Sequence, residues 1–251
     1  MNRKQKKQQI TQEDEIENFY LKPEVQKHCV DYINPNPDFV IRHPFMGLCI
    51  GATGSMKSNC LMNLLKKMNG TFEYLILVTQ DKKEPLYLAL EEQINDKEVL
   101  TIIEGLEAFN DYIKDYSQLK EGQTLVIFDD MCVESESAHS KVNNLYIRGR
   151  KMLNMKGISC LYLSQSYYQV PKILREQSSI LILKKINGKY DIDAILRDCG
   201  QLDCDKRQLN AMYKHCVTSK KDPNFMLINK GADDSEIYRK NFNTVLNPDD
   251  F

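Results

Sequence analysis

From Phe45 onward, short unbroken apolar runs alternate with longer stretches in which apolar residues recur every three or four positions. The runs occupy residues 45–50, 74–79, 99–103, 124–129, 158–164 and 180–184. Continuous Val, Ile and Leu marks strands buried on both faces, as in a parallel sheet covered by helices. Stretches of helical period lie between them at 57–68, 84–94, 106–116, 142–153 and 170–176. Strand and helix in alternation predict an α/β fold of three layers with a mostly parallel central sheet.

Outside this alternation the pattern weakens. Residues 1–20 mix Lys, Gln and Glu with few apolar anchors. Such a segment does not offset the entropy of ordering its backbone, so a mobile tail is expected. A short helix is expected over 23–32. Asn34-Pro35-Asn36-Pro37 then breaks any regular element, because each proline restricts the residue before it as well as itself. The main domain is expected to begin near Phe39. After residue 185 the pattern predicts helices at 191–199 and 205–217, a strand at 225–229 and a polar end. The division that follows is a tail and short helix (1–38), a core (39–185) and a C-terminal extension of the same domain (186–251).

The 251 residues suit one main domain with a sizeable buried core. With 42% hydrophobic and 27% charged residues, and with apolar runs no longer than a strand, a membrane span is not expected. The basic start, Met1 to Gln9, has no apolar stretch behind it and does not read as a secretory signal. Cys49, Cys60 and Cys160 fall inside predicted strands or helices, where buried thiols are common, so a reduced, intracellular compartment is expected. Cys199, Cys204, His215 and Cys216 invite comparison with a zinc site, but their spacing and helical surroundings suit one poorly. The net charge of −1 gives no general attraction for polyanions, so any nucleic-acid contact has to be local. Basic clusters at Arg3-Lys4-Gln5-Lys6-Lys7, Arg148-Gly149-Arg150-Lys151 and Lys184-Lys185 read, taken singly, as solvated faces.

One loop carries more specific chemistry. Gly51-Ala52-Thr53-Gly54-Ser55-Met56-Lys57-Ser58 follows a predicted strand and opens a predicted helix. In that context a glycine-bearing loop wraps phosphates with its backbone N–H groups at the positive end of the helix. Lys57 would reach the β- and γ-phosphates, and the Ser58 hydroxyl would ligate Mg2+. Met56 departs from the pattern, since glycine usually precedes the lysine and lets the chain bend close to the phosphates. The plain alternative is an ordinary strand-to-helix turn.

A second strand ends in carboxylates. Leu125-Val126-Ile127-Phe128-Asp129-Asp130 places Asp129 and Asp130 at the carboxyl edge of the sheet, where open α/β sheets bind ligands. Asp129 is positioned for the magnesium shell and Asp130 for polarising an attacking water. A turn or helix cap is the alternative for such a pair. Leu161-Tyr162-Leu163-Ser164-Gln165-Ser166 brings a third polar strand end, with Gln165 a candidate partner for the γ-phosphate or the water.

Taken in order, the loop 51–58, the acidic strand 125–130, Arg148-Gly149-Arg150-Lys151, Leu163-Ser164-Gln165-Ser166 and Val170-Pro171-Lys172-Ile173-Leu174-Arg175 resemble the FtsK–HerA superfamily of P-loop ATPases. Within it they resemble the poxvirus-type genome-packaging ATPases. The resemblance spans about 45–185. It implies an additional catalytic strand between the loop strand and the acidic strand, and ATP with Mg2+ as the bound group. It also implies a homo-oligomeric ring, a pentamer or hexamer, that moves double-stranded DNA. Packaging would place the protein at the virus assembly site, with capsid proteins as partners and no membrane. By this resemblance Asp129 maps to magnesium, Asp130 to water activation and Gln165 to the sensor. Arg150, with Arg148 as its substitute, maps to an arginine supplied across a ring interface, and Arg175 to a nucleotide- or interface-facing role.

Three other readings remain open at this point. A GTPase would need a guanine-reading Asn-Lys-x-Asp; the nearest approach is Asn229-Lys230-Gly231-Ala232, with Asp233 one residue late. A helicase or plasmid-type translocase would share the chemistry outside a capsid. A structural or DNA-binding ring subunit with a degenerate nucleotide site would account for Met56.

Overall fold

The computed structural model describes residues 17–116, 119–199 and 204–251. Most of the expected tail, with the cluster Arg3-Lys4-Gln5-Lys6-Lys7, lies outside the described residues. The chain divides into two compact units, Met1–Asp31 and Tyr32–Phe251. In the first, a 3-10 turn over Phe19–Leu21 is opened by Asn18, whose side chain accepts from the Tyr20 N–H. Helix α1 (Pro23–Gln26) follows, with its proline at the first position, where no intrahelical N–H is needed. It is shorter than the expected 23–32 because none of its residues is buried, so no packing extends it.

The second unit is built on a sheet that has, among the described residues, nine strands in the order β3-β2-β4-β5-β1-β6-β7-β8-β9. Strands β1 (Met46–Ile50), β2 (Tyr74–Thr79), β3 (Leu100–Glu104), β4 (Thr124–Asp129), β5 (Ile158–Ser164) and β6 (Ile180–Leu183) run parallel. Antiparallel β7 (Met226–Asn229), β8 (Tyr238–Lys240) and β9 (Thr244–Val245) continue the sheet beyond β6. Strand β5 lies between β1 and β4, as the resemblance implied for the additional catalytic strand.

Alternation along each strand splits the core between two faces. On β1, Met46, Leu48 and Ile50 join one apolar cluster and Cys49 the other. The first cluster packs beneath α4 (Gly105–Tyr112), α5 (Ser140–Arg148), α6 (Lys172–Gln177), α7 (Lys189–Cys199) and α8 (Lys206–Cys216). The second packs beneath α2 (Lys57–Lys67) and α3 (Pro85–Ile94). The three-layer α/β fold read from the sequence is thus the observed one.

Departures are local. Helix α5 ends at Arg148 rather than 153, and Gly149–Lys151 forms a 3-10 turn. Gly149 is pressed between Met46 and the Ile158 carbonyl, where a Cβ would lie 3.0 and 3.2 Å from them, and this contact with the sheet bends the chain off the helix axis. Strands β8 and β9, read as a polar end, pair because Ile237, Tyr238 and Leu246 are buried beneath an otherwise polar surface. Among the described residues no helix is long and apolar enough to cross a membrane, and no three His, Cys, Asp or Glu side chains cluster to hold a metal ion.

Candidate active site

Strands β4, β5 and β1 are neighbours, and their carboxyl ends bring the sequence-predicted residues together. In register, Asp129 of β4 lies beside Leu163 of β5, and Ser164 of β5 beside Ile50 of β1. The phosphate loop leaves β1 immediately afterwards. The Gly51 N–H donates to the Ser164 carbonyl and the Ala52 N–H to that of Lys185, which anchors the start of the loop. Gly51 is required by space, since a Cβ there would stand 2.5 Å from both Lys184 Cβ and Ser55 Oγ. Gly54 is required by conformation, with φ of +74° and open space around its Cα.

Met56 is the N-cap of α2 and sits at φ 65°, ψ 38°, in the left-handed region. That is the conformation glycine adopts without strain, and an L-residue there costs on the order of 1 kcal/mol. Met56 therefore takes a backbone conformation open to glycine at an energetic cost. No side chain caps α2, so its first-turn N–H groups face the cleft, as in helix N-termini that bind anions.

Lys57 begins that helix and is buried, its ammonium donating to the Gly51 carbonyl at 3.1 Å and lying 3.9 Å from Asp130 Oδ1. Asp130 ends β4 in a left-handed turn (φ 56°), a conformation in which aspartate is enriched, and its N–H donates to the Leu163 carbonyl. Gln165 bridges this carboxylate to the phosphate loop. Its Nε2 donates to Asp130 Oδ2 at 2.9 Å, and its Oε1 accepts from Thr53 Oγ1 at 2.6 Å. Asp130 Oδ1 and Ser55 Oγ are buried without a hydrogen-bond partner.

Asp129 is held from the other side. The Tyr87 hydroxyl, on α3, donates to Asp129 Oδ2 at 2.7 Å. Burial pushes the Asp129 carboxyl up to about 6; the Asp130 charge adds to this, while the Tyr87 hydrogen bond and the Lys57 ammonium oppose it. The phosphate loop, Asp129, Asp130, Gln80, Asp81 and Glu84 enclose a cleft of about 530 Å³. Sequence reading missed Tyr87, because a tyrosine in an apolar helical stretch carries no sign that its hydroxyl turns toward a carboxylate.

Three arginines lie away from this cleft. Arg150 is exposed and donates to Ser179 Oγ at 3.3 Å, next to the start of β6, and with Arg42 and Arg239 it lines a second cleft of about 550 Å³. This is the amino edge of the sheet. A seven-residue strand spans roughly 20 Å, so Arg150 does not meet Lys57, Asp130 and Gln165 of its own chain. Arg148 is exposed on α5. Arg175 is committed internally, with Nε on the Val170 carbonyl at 3.2 Å, NH1 on Asp198 at 3.2 Å and its guanidinium over the Tyr167 ring. Asn229 pairs with Ile180 at the amino edge, the wrong end of the sheet for reading a base beside the phosphate loop. This removes the basis of the guanine-reading alternative.

Comparison with known proteins bears on the family and the fold. The family model described as Poxvirus A32 protein matches residues 36–238. The chain belongs to that family. This agrees with the resemblance carried by the ordered motifs, and solved structures share the fold. No curated protein matches the chain. Among solved structures it is similar to the genome packaging NTPase B204 from Sulfolobus turreted icosahedral virus 2 in complex with ATP-gammaS, at 13% identity and TM-score 0.54, covering 82% of this chain and all of B204. It is also similar to the cytoplasmic domain of the type VII secretion ATPase EccC of Thermomonospora curvata, at 14% identity and TM-score 0.50, covering 80% of this chain but 25% of that one. A match to ATPases 2 and 3 of EssC from Geobacillus thermodenitrificans, at 14% identity and TM-score 0.46, covers 60% of this chain and 34% of the EssC chain.

Proposed function

We propose that this chain hydrolyses ATP, with Mg2+, and uses the energy to move double-stranded DNA into a viral capsid as a homo-oligomeric ring. One observation carries the reading. Lys57, Asp129, Asp130 and Gln165, from three adjacent strand ends, converge on one cleft bounded by a loop of phosphate-binding shape. Family membership supports packaging, and B204, itself described as a genome packaging NTPase, was solved with an ATP analogue, which supports ATP as the nucleotide.

The residues present fit a nucleotide with its metal. Asp130 Oδ1 and Ser55 Oγ are buried polar atoms without a hydrogen-bond partner, and Ser58 and Asp129 offer the oxygen donors that a hard cation prefers. Magnesium, when bound, neutralises charge on the β- and γ-phosphates. The N–H groups of residues 51–58 and the N-terminus of α2 cradle the phosphates, and Lys57 exchanges the Gly51 carbonyl for phosphate oxygens. Gln165, oriented by Thr53, holds the Asp130 carboxylate through Oδ2 as the proton acceptor for the attacking water. As the water oxygen bonds to the γ-phosphorus and the bond to the β-phosphate oxygen breaks, the proton passes to Asp130.

The negative charge that develops needs a cation that the subunit does not itself deliver. Arg150, at the amino edge of the sheet, supplies it to a neighbour, with Arg148 as the substitute. The C-terminal segment, whose strands β7–β9 continue the sheet beyond β6, reads as an extension of the same domain. The site of action is the virus assembly site in the host cell. Mixing subunits tests the shared site. Arg150→Ala and Lys57→Ala proteins are each expected to be inactive alone and to regain ATP hydrolysis when mixed, because some interfaces then combine an intact loop with an intact arginine. A mixture as inactive as its components would refute a site shared between neighbours.

A further inference from the structure

Tyr87 lies outside every motif the sequence displays, yet its hydroxyl meets a carboxylate that lines the cleft. It is the third residue of α3, a helix opened by Pro85, and it is wholly buried between α2 and the sheet. Its hydroxyl donates to Asp129 Oδ2 at 2.7 Å, at the end of β4. One phenol thus holds a carboxylate read above as a magnesium ligand, from a different element of the fold.

We infer that Tyr87 is a positioning residue for the metal, its hydroxyl fixing the Asp129 carboxylate in the orientation that receives magnesium. The inference rests on the reading of Ser58 and Asp129 as the metal-binding pair. A carboxylate with one oxygen occupied by a phenol turns its other oxygen in a set direction, as outer partners do for metal-ligating side chains generally. The Tyr87 ring is wholly buried among apolar side chains, which hold it in place.

The competing account is that a buried tyrosine hydroxyl has simply found the nearest acceptor. The two accounts differ in what Tyr87→Phe does to metal binding. The probe is Mn2+, titrated by electron paramagnetic resonance against the full-length protein with ADP present, alongside a fluorescent ATP analogue titrated in EDTA. Tyr87→Phe is expected to weaken Mn2+ binding roughly tenfold while leaving metal-free nucleotide affinity unchanged. The Mg2+ concentration giving half-maximal ATP turnover should rise by the same factor. Tyr87→Met, which also fills the buried space without a hydroxyl, should reproduce the loss if the phenylalanine variant does not fold.

Asp129→Asn separates the two possible failures. If it abolishes Mn2+ binding while Tyr87→Phe binds Mn2+ as tightly as the native protein, the positioning role is overturned and the metal reading stands. If Asp129→Asn also binds Mn2+ normally, the metal reading fails and the role of Tyr87 falls with it.

Discussion

Asp129→Asn should stabilise the metal-free protein at neutral and alkaline pH while destroying its activity. The Asp129 carboxyl is raised by burial from 3.8 to about 6. A carboxyl raised on folding favours the folded state fully below its unfolded value, and that contribution is lost as pH rises through the folded one. Burying the charged form therefore costs nothing near pH 3 and its full amount above about pH 7. Two pKa units correspond to about 3 kcal/mol. The part of the carboxylate that faces water in the cleft reduces this, so a gain of about 1–3 kcal/mol is expected for asparagine. For a chain of this length each kcal/mol moves Tm by roughly 2–4 °C. Asparagine keeps an acceptor for the Tyr87 hydroxyl, so the exchange removes charge more than contact. Thermal unfolding in EDTA between pH 4 and 8 measures it. The Tm advantage of Asp129→Asn should be full at pH 8 and shrink away as the pH falls from 6 to 4. An advantage that is absent, or that does not change with pH, would refute the reasoning.

Two further substitutions probe the loop and its link to the strand ends. Gly51→Ala forces a Cβ to within 2.5 Å of Lys184 and Ser55. Lys184 cannot retreat, because its buried ammonium donates to the carbonyls of Asp222, Pro223 and Asn224 at 2.7–2.9 Å. Overpacking of this kind costs about 1–3 kcal/mol, read as a lower Tm, and ATP-analogue binding should weaken with it. Thr53→Val keeps the shape of the side chain but removes the donor that fixes the Gln165 amide. Turnover should fall roughly ten- to a hundredfold with KM little changed; a raised KM at native turnover would mean Thr53 serves binding alone.

Much of the fold was legible because the parallel strands are buried on both faces and read as unbroken apolar runs. Strand β4, with five buried residues ahead of Asp129, is an example, and its end pointed directly at the cleft. The C-terminal hairpin was not legible. Strand β9 is two exposed residues, Thr244 and Val245, held by pairing to β8 and not by any periodicity of its own. Helix α5 was read too long because its apolar spacing continues through Met152 and Leu153. The close approach of Gly149 to the Ile158 carbonyl, a tertiary contact, ends it instead.

The candidate site shows the same division. The loop, Asp129, Asp130 and Gln165 are local signals at strand ends, so they could be read one by one. Their hydrogen bonds could not, because Thr53 and Gln165 stand 112 residues apart and Tyr87 and Asp129 stand 42 apart. Met56 looked like a flaw in the motif. Its left-handed backbone is the conformation glycine adopts without strain, so the methionine carries a strain that a glycine there would not.

The central claim is that Lys57 and the loop around it hold ATP for hydrolysis coupled to DNA. The most direct test is ATP turnover by the purified protein with and without double-stranded DNA, in native and Lys57→Ala forms. Turnover stimulated by DNA in the native protein and absent from Lys57→Ala is the predicted result. DNA-stimulated turnover that survives Lys57→Ala would contradict the assignment of the site.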